Sequence, residues 1–249
     1  MNDLLDKVKS ILANRQKGSL ALVEDILEAI MAANPSKAEL QTLVGELKKS
    51  EPAMVALHHL ARALSRALHV ADGRSFVHHY RLSWQHADRQ IARHLLSLLP
   101  ASPTQLTLLT HSHSHTVINT VLDLHRQGRV GRVIQTRSEP GGEGALQARQ
   151  LRQAGLTVAL IADEETAGHV AKANTCLLGA DQWTTKAFLN KTGTARIVDL
   201  AGQYHVPVFV LADTRKQLTT LQTKGINHSL FEKVKKEPHV RFINEKGVI

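Results

Sequence analysis

The chain has 249 residues, 4% of them aromatic, a single cysteine and a formal charge of +9. One cysteine, Cys176 within an apolar run, excludes a disulfide framework and a cysteine metal site. No apolar run reaches the roughly 18 residues that span a bilayer, and the start MNDLLDKVKS has neither the apolar stretch nor the cleavage site of a signal peptide, so the sequence reads as a cytoplasmic protein.

The positive charge favours polyanionic or phosphorylated partners, because clustered Lys and Arg concentrate anions. Without interleaved aromatics, the basic stretch KVKKEPHVR reads as a solvated face rather than a nucleic-acid site.

Residues 1 to about 100 read as helices. Leu4, Leu5, Val8, Ile11 and Leu12 recur at helical spacing, and Gly18-Ser19 precedes a second series from Leu20 to Ile30. Ser36 with Glu39 forms a capping-box pattern ahead of Leu40, Leu43 and Leu47. A further helix is predicted from near Glu51-Pro52, with the proline in its first turn, and Asp72-Gly73 breaks it. One last helix is predicted from Ser75 to Leu99, ending at Pro100. Histidines 58, 59, 78, 79, 86 and 94 do not share a helix face and read as solvated or interfacial. The breaker-rich link Ala101-Ser102-Pro103-Thr104 divides a helical domain, 1–103, from an α/β domain, 104–249.

The second part alternates strand-like runs (106–110, 132–136, 156–163, 175–181 and 207–213) with amphipathic stretches, which predicts a parallel sheet flanked by helices. Ligands bind such sheets at the carboxyl ends of the strands. At that edge lies the first run's end, HSHSH, where Ser114 or Thr116 caps the next helix. Next comes the glycine-rich turn Ser138 to Gly144, which reads either as a structural loop or as a set of bare N–H groups for an anion. Gly179-Ala180-Asp181 brings a carboxylate to the edge, and Asn190-Lys191-Thr192-Gly193-Thr194 reads as a helix start able to grip phosphate. Val240 to Ile243 adds an edge strand before Gly247.

Leu109-Thr110-His111, SEPGGEG at 138–144, Gly179-Ala180-Asp181, Asn190 to Thr194, Val206-Pro207-Val208 and Asn244-Glu245-Lys246-Gly247 together resemble the initiation factor 2B alpha/beta/delta-like proteins. That family includes isomerases of methylthioribose 1-phosphate and ribose 1,5-bisphosphate. The resemblance covers about 106–249, with a looser likeness at Gly18-Ser19 and Met54. It implies a Rossmann-like domain behind a helical one, subunits that associate as dimers or larger assemblies, and no metal or cofactor. It also implies an acid/base role for Asp181 and places Ser112 and His113 where the isomerases have a Cys-Asn pair. Arg137, Gly142, Gly144, Asn190, Lys191, Thr192 and Gly193 are then the candidate phosphate contacts. An alcohol is a far weaker acid than a thiol, so Ser112 needs a partner base if it is to replace the cysteine. Glu139 stands where the family usually has arginine, and only Lys17-Gly18-Ser19 represents the isomerases' N-terminal phosphate loop. Two functions therefore stand side by side: an aldose-ketose isomerase acting on a small phosphorylated sugar, and a non-catalytic regulatory or assembly subunit that senses a phosphorylated metabolite.

Overall fold

A computed structural model describes residues 3–102 and 104–249. Pro103 and the first two residues, on which parts of the boundary and leader readings rest, lie outside the described residues. Among the described residues no helix is long and apolar enough to cross a membrane.

Five helices form the N-terminal bundle: α1 (Asp3–Leu12), α2 (Ser19–Ala33), α3 (Lys37–Lys48), α4 (Val55–Ala67) and α5 (Gly73–Trp84). Their apolar stripes close one core that runs from Leu4 to Tyr80, with Leu22, Ile26, Leu43 and Leu60 fully buried. Ser36 and Glu39 make the expected capping box. Asp72 caps α5, accepting from the Ser75 N–H at 2.9 Å.

Two helix readings need correction. The proline does not enter α4: residues 51–54 form a turn in which the Glu51 carboxylate accepts from the Asn227 N–H, and the helix begins at Val55. The long final helix is two, α5 and α6 (Ala87–Leu96). At the break Trp84 takes the Arg215 guanidinium over its ring at 4.6 Å, while Ile91 and Leu95 of α6 join the core of the sheet instead of the bundle.

The sheet comprises β1 (Leu106–Thr110), β2 (Val130–Thr136), β3 (Val158–Ile161), β4 (Thr175–Leu178), β7 (Val208–Leu211), β9 (Val240–Asn244) and β10 (Gly247–Val248). Its order is β10-β9-β7-β4-β1-β2-β3, parallel except for the β10-β9 pair. Alternating residues serve opposite faces. Leu108 and Val133 pack with α6, α7 (His115–Arg126) and α8 (Glu143–Gln153), whereas Leu109 and Ile134 pack with α9 (Thr166–Val170) and α10 (Thr194–Gln203). From β1 the chain builds outward first through β2 and β3 and then, on the other side, through β4 and β7, so the order reverses between β1 and β4. Crossovers leave on opposite faces at such a point, which opens a crevice beyond the strand ends.

A second, antiparallel sheet, β5 (Gln182–Trp183), β6 (Ala187–Lys191) and β8 (Phe231–Lys235), was not anticipated. Asn190 and Lys191 are therefore the end of a strand and not the start of a helix.

Candidate functional site

Beyond the β1 and β4 ends, under the bundle, lies a cleft of about 640 Å³ including its open mouth. Four segments supply its polar groups: the α1–α2 loop, the turn after β1, the start of α8 and the ends of β4 and β6.

The turn after β1 is held in an unusual shape. Ser112 has φ of +65°, a left-handed conformation that a side chain rarely adopts, and its N–H donates to Ser138 Oγ at 2.7 Å. This bend ends the alternation of the three histidines. His111 turns inward between Thr136 Oγ1 (2.6 Å) and the Thr192 carbonyl (3.0 Å). His113 accepts the Gly18 N–H at Nδ1 (3.1 Å) and lies 3.1 Å from Gln150 Oε1 at Nε2. His115 opens α7 and faces Asp88 at 3.4 Å. Burial pulls both His111 and His113 down to about 4, so both rings are neutral at pH 7.

Asp181 follows β4, half-buried, and accepts from Ser19 Oγ at 3.0 Å. Burial raises its carboxyl above the usual range, against the pull of the nearby Lys216 ammonium. Lys216 itself donates to the Ala180 carbonyl at 2.7 Å. Glu143, the first residue of α8, accepts from Ser112 Oγ at 3.0 Å and pairs with Lys191 at 3.1 Å, and the Lys191 ammonium also meets the Pro140 carbonyl. Burial raises Glu143 too, with Lys191 opposing.

Ser112, His113, Asp181, Asn190 and Lys191 all line this cleft. The remaining sequence candidates stand elsewhere. Arg137 is exposed, and Thr192 and Gly193 line a separate cavity beyond the His111 ring. The glycine-rich turn is already closed on itself: the Gly142 N–H reaches the Ser138 carbonyl (3.3 Å) and the Gly144 N–H the Arg137 carbonyl (3.1 Å). The donors at 138 and 139 are held by the chain's own carboxylate, Asp163, at 2.8 and 2.6 Å. Gly144 serves packing, since a Cβ there would lie 1.9 Å from the Thr136 carbonyl oxygen.

Sequence reasoning missed Glu143 and Lys216 as cleft residues, while Ser19 entered only through the loop likeness at Lys17-Gly18-Ser19. Lys216 follows β7 at the carboxyl edge, and that position was the available signal. Ser19 opens α2, whose N-terminus has no side-chain cap and faces the cleft between Arg15 and Leu20.

A parallel sheet with a polar cleft at its reversal point, roofed by a helical bundle, defines an α/β protein of the doubly wound class with a ligand-type crevice. A model of the Initiation factor 2 subunit family matches residues 6–232, and the chain belongs to that family. It is 27% identical over 216 residues to translation initiation factor eIF2B subunit alpha of Caenorhabditis elegans, covering 80% of this chain and 71% of that one. It is 35% identical over 111 residues to the ribose 1,5-bisphosphate isomerase of Archaeoglobus fulgidus, covering 44% of this chain and 36% of the isomerase. The solved structure of a Pyrococcus horikoshii OT3 translation initiation factor eIF-2B superposes with a TM-score of 0.81 at 24% identity, covering 99% of this chain and 96% of that one.

Proposed function

We propose that the cleft binds a small phosphorylated sugar and interconverts its aldose and ketose forms. The observation that carries this reading is the pairing, across one crevice, of a half-buried carboxyl of raised pKa, Asp181, with a second proton-bearing group, Ser112 backed by Glu143. Aldose-ketose isomerisation moves protons between adjacent carbons and their oxygens, and a carboxyl whose pKa is raised toward neutrality is suited to that work. The phosphate is assigned to the α2 N-terminus, where Ser19 and Leu20 line the crevice beside Arg15 and beside Lys17, which pairs with Asp25 at 2.6 Å, and not to the glycine-rich turn. Lys191, held by Glu143, lends its charge to the cleft without offering a free grip.

The hydroxyl at 112 favours a second reading, in which the same cleft senses a phosphorylated metabolite without turning it over. Assembly into a dimer or larger body is part of either reading, and light scattering measures it.

The test incubates the protein with ribose 1,5-bisphosphate and with methylthioribose 1-phosphate, reading melting temperature and ketose formation. Conversion that Asp181→Asn abolishes while the thermal shift is kept supports the isomerase. A shift without conversion in the wild type supports sensing, and neither shift nor conversion with these or related pentose phosphates overturns both.

A further inference from the structure

We propose that Glu143 is a positioning residue that serves as the proton reservoir of Ser112, allowing a hydroxyl to stand where a thiol would otherwise exchange protons with the substrate. The inference rests on the isomerase reading of the cleft.

Serine alone is too weak an acid to deliver a proton at neutral pH. The structure supplies what it lacks. Ser112 is fixed by its left-handed backbone and by the Ser138 contact, so that Oγ lies 3.0 Å from the Glu143 carboxyl oxygen while both side chains line the cleft. The Lys191 ammonium lies 3.1 Å from both oxygens of that carboxyl, including the one that accepts from Ser112, and a Cβ at Gly141 would come within 2.9 Å of the other, so the group is confined on that side as well. Such packing is more than a surface ion pair needs: Lys191 and Glu143 are both buried, and the third partner is the hydroxyl of a residue that lines the cleft.

The transfer balances without an added reactant. When a substrate hydroxyl gives its proton to Oγ, a new Oγ–H bond forms as the old one breaks, and the proton Ser112 held passes to the Glu143 carboxylate, leaving a neutral carboxyl beside Lys191. When a substrate oxygen later takes a proton from Oγ, the same path runs backward and the carboxylate is restored. No electrons change owner. Burial favours the acid and Lys191 the carboxylate, so the two forms are pulled in opposite directions. The titratable and charged groups around Glu143 come from several elements: Lys191 of β6, Arg15 of the α1–α2 loop, and His111 and His113 of the turn after β1. The two histidines are neutral above pH about 4 and leave the lysine as the controlling neighbour.

The experiment is a double-mutant cycle of Ser112→Cys and Glu143→Gln with the kcat–pH profile as readout. Glu143→Gln in the serine protein is expected to lower kcat about 100-fold or more, with little change in KM, and to remove one limb of the profile. In the Ser112→Cys protein the same change is expected to lower kcat less than about 3-fold, because a thiol exchanges its own proton. Equal losses in both backgrounds overturn the proposal and leave Glu143 a structural residue. If the wild type turns over no phosphorylated pentose, the parent reading has failed. The pair is then read separately by infrared titration of the Glu143 carboxyl. A carbonyl band that titrates above the ordinary glutamate range and moves in Ser112→Ala supports the coupling, and a band that ignores Ser112 refutes it.

Discussion

Of the glycines that lie in helices, Gly45 and Gly144 differ sharply in what surrounds them. At Gly45 in α3 nothing lies within 4 Å of an added Cβ, and at Gly144 in α8 that atom would meet the Thr136 carbonyl oxygen at 1.9 Å and the Arg137 carbonyl oxygen at 2.9 Å. Helix propensity alone makes either Gly→Ala change stabilising by about 1 kcal/mol. Gly45→Ala should realise that gain. In Gly144→Ala a carbon-oxygen contact of at least about 3.3 Å requires α8 to withdraw by roughly 1.4 Å. That movement breaks the Gly144 N–H bond to the Arg137 carbonyl (3.1 Å), the Gln147–Gln135 contact (2.7 Å) and the Ser114 N–H bond to Gln147 (2.9 Å). Each buried loss costs about 1–3 kcal/mol, so the net destabilisation is about 4 kcal/mol after the propensity gain. Urea unfolding at pH 7 followed by far-ultraviolet circular dichroism measures both variants. A Gly144→Ala protein within 1 kcal/mol of wild type, or two glycines shifting stability the same way, refutes the reasoning.

Lys191→Met leaves Glu143 buried without its partner and is expected to cost about 3–5 kcal/mol in urea unfolding at pH 8 and less at pH 5, because burial raises the carboxyl and acid favours its neutral form, with part recovered in Lys191→Met/Glu143→Gln. Equal cost at the two pH values refutes this. For His113, a folded pKa of about 4 against about 6.5 unfolded means that the unfolded chain binds more protons between those values. Stability is therefore present above pH 6.5 and falls as pH drops toward 4, by about 3 kcal/mol at most for this group. Asp181 and Glu143, raised in the fold, act with the opposite sign, so the comparison is with His113→Gln, whose stability should fall less steeply across that window. Arg215 pairs with the fully buried Asp213 at 2.7 Å. Arg215→Met should cost about 3–5 kcal/mol and change Trp84 fluorescence, and a variant as stable as wild type would count against that pair as the anchor of the bundle.

The α/β alternation was legible because each sheet strand is a short apolar run followed by small or polar residues at the carboxyl edge. The same signal brought Asp181 to the edge, whereas Ser112 was singled out by the family resemblance. The second sheet left no such trace: β5 has two residues, and β6, Ala187–Lys191, runs straight into the glycine turn that precedes α10. Lys191 was therefore placed as a helix-start cation, when strand geometry points its ammonium inward to Glu143. The break after Trp84 was equally hidden. No glycine or proline marks Gln85-His86, and the apolar spacing continues across it. What ends α5 is tertiary: Arg215 on Trp84, and a sheet that claims Ile91 and Leu95. The glycine-rich turn misled for a different reason, because a sequence cannot show that Asp163, twenty-odd residues on, already holds the amides at 138 and 139.

The bundle is part of the site and not a neighbour of it. Gly18 donates to His113, Ser19 to Asp181, and Gln182 to the Pro52 carbonyl at 3.0 Å, so three of the contacts that join the two parts run through or beside the cleft. A Cβ at Gly18 would lie 2.3 Å from the His113 carbonyl oxygen, which shows how closely the α2 N-terminus is seated on the turn after β1. The sheet alone would present Asp181 and Ser112 to open solvent. With the bundle docked, Asp181 gains a hydroxyl donor, and the crevice gains helix amides and two cations at its mouth. A ligand that bridges those amides and Asp181 touches both parts at once, so its binding energy also holds them together. Ligand capture and docking of the bundle are thus one equilibrium, in either the catalytic or the sensing reading.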